Sequence, residues 1–165
     1  MADRKHPQVE EEIMGQLIAY AMDKMDNHGA YPFAAFVVKD GVVISRAYNS
    51  KINLYGDKTT HGEMEALTKA NRALLQKHLV ILGPGYELYS TCEPCLACFD
   101  SALWADIRKF VFSVDHHDFP DYFHDHPYSI EDYETDNPGE ISVVRQVHHE
   151  DGLGLFRDAK QKYGW

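Results

Sequence analysis

The sequence predicts an α/β protein, a three-layer α/β/α sandwich in which helices flank a mixed sheet of about five strands. Segments with a helical period of three and four residues alternate along the chain with short β-rich runs. The 165 residues suit one domain. A content of 44% hydrophobic and 25% charged residues is typical of a folded soluble protein. We therefore expect residues 1–165 to form a single domain.

The N-terminal half is expected to contain a helix, a hairpin and a second helix. Apolar residues spaced three and four apart predict an amphipathic helix from about Gln8 to Asp26. Two β-rich runs, Phe33 to Val38 and Val42 to Tyr48, are separated by Asp40-Gly41, a strong hairpin signal. After a polar stretch, a second apolar stripe predicts a helix from His61 to about Lys77.

The C-terminal half continues the alternation. A short strand is expected at Tyr86 to Ser90, followed by a helix that starts near Cys95 and continues through Trp104. Lys109 to Val114 reads as a buried strand, and Glu140 to Val147 as a weaker one. Residues 155–165 have a helical pattern at the end of the chain.

One long segment, 116–139, interrupts this alternation. It is rich in His, Asp, Pro and Tyr and has no sustained period. Its length of roughly two dozen residues exceeds that of ordinary connections, which favours a lid or binding loop. An acidic surface excursion is the alternative.

Charge and composition exclude several classes of function. The chain has 16 basic and 26 acidic residues, a formal charge of −10, so phosphate backbones and anionic membranes would repel it. No apolar run approaches the roughly 18 residues that span a bilayer. The N-terminus carries no apolar core that reads as a secretory signal, so we expect a cytoplasmic protein.

The strongest chemical signal is a pair of short motifs, each at the start of a predicted helix. The first is His61-Gly62-Glu63, and the second contains Cys95 and Cys98. One histidine and two cysteines form a three-ligand zinc set with the fourth position open. Glu63 follows His61 by two residues, so on a helix their side chains diverge by about 200°. Glu63 is therefore expected to carry protons and not to bind the metal.

The three cysteines are also compatible with other kinds of site. An iron–sulfur cluster would need a fourth cysteine, and the three present are Cys92, Cys95 and Cys98. A structural zinc would need a fourth protein ligand. Iron at the same ligands stays open, although thiolate and imidazole at an open tetrahedral site favour zinc. Cys92 is expected to be a small buried residue beside the site.

The His-x-Glu and Pro-Cys-x-x-Cys motifs resemble those of the cytidine deaminase-like zinc deaminase superfamily. Within it the chain is most similar to the bacterial guanine deaminases, on Pro32-Phe33, the block Tyr89 to Cys95, and Trp104. The resemblance implies a cytidine deaminase-like fold, bound zinc, and Glu63 as the catalytic proton carrier. It also implies that loop 116–139 and the tail 153–165 shape the pocket.

The resemblance further implies substrate contacts. Asn49 matches an asparagine that hydrogen-bonds the base, and Trp104 matches an aromatic residue near the pocket. Phe36, on the first strand, is a further candidate contact. Asp115 and Asp125 are candidates for an aspartate that handles protons. Without the resemblance, Asn49 would be assigned to a turn and Trp104 to the core.

The tail carries two more aromatic residues. Tyr163 and Trp165 match a C-terminal segment that closes over the active site of a neighbouring subunit, so a homodimer is expected and Tyr163 is a candidate substrate contact.

The expected function is zinc-dependent hydrolytic deamination of a free nucleobase, with guanine converted to xanthine and ammonia. The small-molecule partner follows from the −10 charge, which weighs against nucleic acid and the tRNA-adenosine branch. Gly62 replaces the usual alanine, as in the fungal-type cytosine deaminases, so cytosine, an amino-triazine or a pterin is the alternative. A non-catalytic zinc-stabilised interaction module is the alternative from another class.

Overall fold

A five-stranded mixed sheet lies between two layers of helices in the computed structural model, which describes residues 7–76, 82–123 and 128–164. The strands are β1 (Ala34–Lys39), β2 (Val42–Tyr48), β3 (Tyr86–Cys92), β4 (Lys109–Val114) and β5 (Ser142–Val144). The helices are α1 (Pro7–His28), α2 (Ser50–Tyr55), α3 (Gly62–Gln76), α4 (Leu96–Trp104), α5 (Ile130–Asp136) and α6 (His149–Tyr163), with a 3₁₀ turn at His116–Asp118. Among the described residues, no helix is long and apolar enough to cross a membrane.

The strand order is β2-β1-β3-β4-β5. Strand β1 is antiparallel to β2 and β3, whereas β3, β4 and β5 are parallel. The predicted hairpin is confirmed, and both Asp40 and Gly41 have positive φ angles, of 50° and 75°. Ile44 is an extra residue in the ladder of β2, because Val37 pairs with Ser45 and Val38 with Val43. The two outer strands are thus a bulged β2 and a three-residue β5.

Alternation along β1 separates two apolar cores. Phe36 and Val38 face the core formed with α1 and α6, which includes Leu17 and Phe156. Val37 faces the opposite core, formed with α3 and α4. Helices therefore cover both faces of the sheet, which confirms the predicted three-layer α/β/α sandwich.

Two helices were not predicted. The polar stretch after β2 contains α2, and segment 116–139 contains α5. Helix α5 begins with a capping box in which the Ser129 hydroxyl accepts from the Asp132 N–H and the Asp132 carboxylate accepts from the Ser129 N–H. Helix α6 begins at His149, earlier than the pattern in 155–165 indicated.

Candidate active site

The three predicted metal ligands meet where α3 and α4 begin. His61 directly precedes α3, Cys95 is the N-terminal cap of α4, and Cys98 lies in its first turn. The sulfur atoms of Cys95 and Cys98 each lie 3.4 Å from Nδ1 of His61. Tetrahedral zinc with bonds of 2.0–2.3 Å would hold such donor atoms about 3.5 Å apart. The donor types and their spacing therefore fit zinc.

The imidazole of His61 is oriented by the loop before it. Its Nε2 lies 3.1 Å from the carbonyl oxygen of Lys58 and donates to it, so Nδ1 is the nitrogen presented to the metal. The carboxylate of Asp57 accepts hydrogen bonds from the backbone N–H and hydroxyl of Thr59 and from the hydroxyl of Thr60. These bonds hold the loop that carries the Lys58 carbonyl.

Glu63 and Cys95 have strongly altered acidity. Burial raises the pKa of Glu63 to about 7, and the negative charge of Cys95 acts in the same direction. A hydrogen bond from Cys98 lowers the pKa of the Cys95 thiol, and the nearby His61 acts in the same direction, which favours the thiolate that a metal binds. The site thus pairs a metal-binding thiolate with a carboxyl group that exchanges its proton near neutral pH.

Asn49 lies directly after β2, is buried, and lines the same cavity as His61 and Glu63. Its side-chain oxygen accepts a hydrogen bond of 2.6 Å from the Gly62 N–H. Its own backbone N–H donates to the Phe33 carbonyl oxygen, 3.1 Å away. The amide is therefore fixed at its oxygen, and its NH₂ end is the part that can donate to a ligand.

The structure gives a packing reason for glycine at position 62 that the sequence alone did not indicate. A Cβ at this position would lie 3.3 Å from the Phe33 carbonyl oxygen and 3.3 Å from the Cα of Tyr48. Glycine here follows from the close approach of the helix to the hairpin. The residue is thus a weak indication of a pyrimidine substrate.

A cavity of 480 Å³ opens above these groups. Five phenylalanine and tyrosine residues contribute aromatic rings to its wall, and its polar residues include Asn49, Lys58, His61, Glu63 and Glu93. The residues that line it are Tyr31, Phe33, Asn49, Ile52, Lys58, His61, Glu63, Glu93, Cys95, His116, Tyr122, Phe123 and Tyr163.

The aromatic wall joins distant parts of the chain. Phe33, before β1, stacks on Tyr122 with ring centroids 5.8 Å apart. Tyr31 lies 5.0 Å from the ring of Tyr163, at the end of α6. The Tyr163 hydroxyl donates to the Ala30 carbonyl oxygen at 2.8 Å. The tail therefore reaches the cavity of its own chain, whereas the resemblance implied the cavity of a neighbouring subunit; Trp165 lies outside the described residues.

Two predicted aromatic contacts do not line this cavity. Phe36 is fully buried against α1, where its ring lies 5.5 Å from that of Tyr20. The prediction for Phe36 is corrected because its position on β1 points it into the core, while Phe33 reaches the cavity. Trp104 is 84% exposed at the end of α4, away from the described lining and from the core.

The predicted aspartates are also absent from the described lining. Asp115 accepts a hydrogen bond from Gln146 and lies in a cluster with Asp118 and His149, whose possible ligand atoms are within 4.8 Å of one another. Asp115 is the N-terminal cap residue of the 3₁₀ turn, and its role in handling protons stays a prediction. Asp125 lies outside the described residues.

Sequence reasoning missed Glu93, His116, Tyr122 and Phe123 as parts of the cavity. Glu93 lies within the cysteine motif. An acidic residue two positions before a predicted metal ligand was a sequence signal that Glu93 lies close to the site. The other three lie in segment 116–139, where no periodicity indicates which side chains turn inward. Which of these side chains turn into the cavity depends on tertiary contacts.

Comparison with known proteins identifies relatives. Residues 7–114 match the family described as the cytidine and deoxycytidylate deaminase zinc-binding region. The tRNA-specific adenosine deaminase of Aquifex aeolicus is 42% identical over 86 residues, covering 52% of this chain and 54% of that protein. The match thus spans about half the length of that relative.

Guanine deaminases appear among both sequence and structural relatives. The Bacillus subtilis guanine deaminase is 31% identical over 113 residues, 68% of each chain. The solved guanine deaminase from Nitrosomonas europaea superposes with a TM-score of 0.74 at 21% identity, covering 92% of this chain and 84% of that one. At that identity the superposition supports the fold alone.

Proposed function

The chain belongs to the cytidine and deoxycytidylate deaminase zinc-binding family, and we propose that it hydrolyses the amino group of a free nucleobase, with guanine to xanthine as the leading reaction. The observation that carries the proposal is the aromatic wall around the zinc site. Tyr122, Phe123 and Tyr163 of this wall come from beyond residue 114, where the family match ends. A planar ring is the shape that such stacked side chains hold best.

The charge of the lining supports a small substrate over a polymer. Among the described lining residues, Lys58 is the sole lysine and there is no arginine, while Glu63 and Glu93 are acidic. A site that follows a phosphate backbone needs several cations. The formal charge of −10 acts in the same direction.

In the proposed mechanism, Glu63 moves the protons. Bound zinc, held by His61, Cys95 and Cys98, would supply Lewis acidity that lowers the pKa of a water molecule. Glu63 removes a proton from that water as it adds to the ring carbon bearing the amino group. Glu63 delivers this proton to the ring nitrogen, then takes the proton of the added hydroxyl and passes it to the amino group, which departs as ammonia as the ring carbonyl forms. Asn49 orients the base with its NH₂ end.

The test is ammonia release from a panel of substrates by the zinc-loaded protein. The panel contains guanine, cytosine, adenine, their nucleosides, aminated triazines, pterins and a tRNA anticodon stem-loop with an unpaired adenosine. Release from guanine, with xanthine as product, is the expected result. Release from another free ring would contradict the guanine assignment, and release from the tRNA alone would contradict the free-base proposal.

Adenosine in tRNA is the second candidate, and one observation favours it. The 42% identity to the Aquifex tRNA-specific adenosine deaminase exceeds the 31% identity to the Bacillus guanine deaminase. The higher value covers 86 residues, however, and the lower one 113. Cytosine remains a weaker candidate, since the packing around Gly62 accounts for that residue without reference to the substrate.

We also propose that the protein is a homodimer. Trp104 and Leu96 lie on α4 and are 84% and 48% exposed, and large apolar side chains at a surface favour an interface. Light scattering is expected to give twice the mass of 18.9 kDa for the wild type. Replacing Trp104 with Arg should shift the protein to monomers, and a monomeric wild type would contradict the proposal.

A further inference from the structure

Glu93 is a buried acidic residue that the proposed mechanism does not use. It follows β3 and precedes Cys95 by two residues, and it is 7% exposed. A buried carboxylate is costly unless hydrogen bonds replace its water. Its partners in the structure therefore indicate what it does.

Both oxygens of Glu93 accept hydrogen bonds from the backbone of the segment that contributes Tyr122 and Phe123 to the aromatic wall. One oxygen accepts from the His116 N–H at 3.3 Å, and the other from the Ile130 N–H at 3.4 Å. Tyr122 and Phe123 lie between these two positions in the chain. One carboxylate thus holds both ends of the segment that supplies two rings to the cavity.

The backbone of the same residue is anchored to the sheet. Its backbone N–H donates to the Val114 carbonyl oxygen at 2.8 Å, at the end of β4. Its neighbours Pro94 and Cys95 then lead into α4. Glu93 therefore links the loop that presents a zinc ligand to the wall that faces the ring of a substrate.

The chemistry of this link requires glutamate. Two N–H donors on separate backbone segments need two acceptor atoms on one side chain, which a carboxylate provides. Glutamine has one acceptor and would turn an NH₂ group toward a backbone N–H. Aspartate keeps both acceptors but is one methylene shorter.

We propose that Glu93 is a positioning residue, which sets the distance between the aromatic wall and the zinc ligands and thereby the affinity for the ring. This inference extends the proposed function, because it assigns substrate binding to the wall that Glu93 holds. It also predicts a property of the protein without substrate. Glu93 should protect the N–H groups of His116 and Ile130 from hydrogen exchange.

The experiment compares wild type, Glu93→Gln and a matched control, Glu131→Gln, all loaded with zinc. Glu131 is exposed on α5, next to Ile130, and does not line the cavity. Hydrogen exchange of the His116 and Ile130 amides should accelerate about tenfold in Glu93→Gln and stay unchanged in the control. KM for guanine should rise about tenfold with kcat within about threefold, and zinc should remain at one ion per chain.

Several outcomes would overturn the inference. These are unchanged exchange at both amides, equal acceleration throughout α1 and the sheet, or loss of zinc from Glu93→Gln. If that variant does not fold, Glu93→Asp decides, with faster exchange at one or both amides as the expected result. Faster exchange in a protein whose wild type deaminates no member of the panel would support the role of Glu93 while contradicting the proposed function.

Discussion

On the metal side of the cavity, Cys98 and Glu63 are buried and the His61 imidazole is held by a hydrogen bond within its own loop, whereas the aromatic side is partly exposed and held by contacts between distant segments. His61 is oriented by the carbonyl of Lys58, three residues earlier. Tyr163, in contrast, meets Tyr31 across more than 130 residues. Under the proposed function, this difference means that the chemical step would depend on the metal side and the recognition of the ring on the aromatic side. Substitutions should therefore change one without the other.

Among the substitutions that test this comparison, loss of a zinc ligand is expected to reduce turnover the most. Cys98→Ser replaces a buried sulfur donor with a weak one, so zinc should fall to near zero and turnover by more than about 1,000-fold. Zinc per chain and ammonia release measure the two effects. Cys92→Ser is the control, because Cys92 is buried nearby and is not part of the donor set. A Cys98→Ser protein that keeps its zinc would refute the assignment.

Glu63→Gln separates metal binding from proton transfer. We expect kcat to fall by about 10²–10⁴-fold, since a positioned general base contributes that much. Zinc content and KM should stay close to those of wild type. Glu65→Gln, on the same helix and outside the described lining, should leave kcat unchanged. An unaltered kcat in Glu63→Gln would mean that another group carries the proton.

Tyr122→Ala addresses the aromatic side alone. Its ring stacks on Phe33 and lines the cavity, and a contact between two aromatic rings is worth about 0.5–1.5 kcal/mol, so loss of its contact with the base should raise KM about two- to tenfold with little change in kcat. Tyr55→Ala removes an exposed tyrosine that does not line the cavity and serves as the control. Steady-state kinetics on the preferred base give both constants. A lower kcat at constant KM would place Tyr122 in the chemical step instead.

Gly62→Ala should have the smallest effect. The added methyl group must displace the Phe33 carbonyl by a few tenths of an ångström, which we expect to cost about 1 kcal/mol and to lower Tm by about 2–4 °C. Thermal unfolding measures the stability, and the substrate panel measures the preference. A switch of preferred base would show that Gly62 determines specificity and not only packing.

The sequence predicted the sheet, the hairpin and the metal side because these depend on local patterns. Strand β4 matches the predicted bounds, and the ligand set follows from two short motifs at helix starts. Helix α5 was missed although its capping box, Ser129 to Asp132, is a readable signal. Phe36 was assigned to the cavity in place of Phe33, because a strand pattern alternates without saying which face holds a ligand.

Most of the wall could not be predicted from local patterns, for a different physical reason. The resemblance implied a contact from Tyr163, but Tyr122 lies in segment 116–139, which has no period to indicate that its ring turns into the cavity. Their positions follow from contacts such as the hydrogen bond from Tyr163 to Ala30, which joins residues 133 positions apart. No short window of sequence contains both partners.

The unequal edges of the sheet bear on aggregation. An open strand edge can template the addition of further strands from other molecules, which leads to fibrils. Here β5 has three residues, and the extra residue Ile44 interrupts the regular ladder of β2. Both features are ways in which natural proteins discourage edge-to-edge growth. Copies of the chain that associate through a helical surface, such as that around Trp104, can therefore form an assembly of limited size. Addition of strands from other copies is disfavoured at both edges of the sheet.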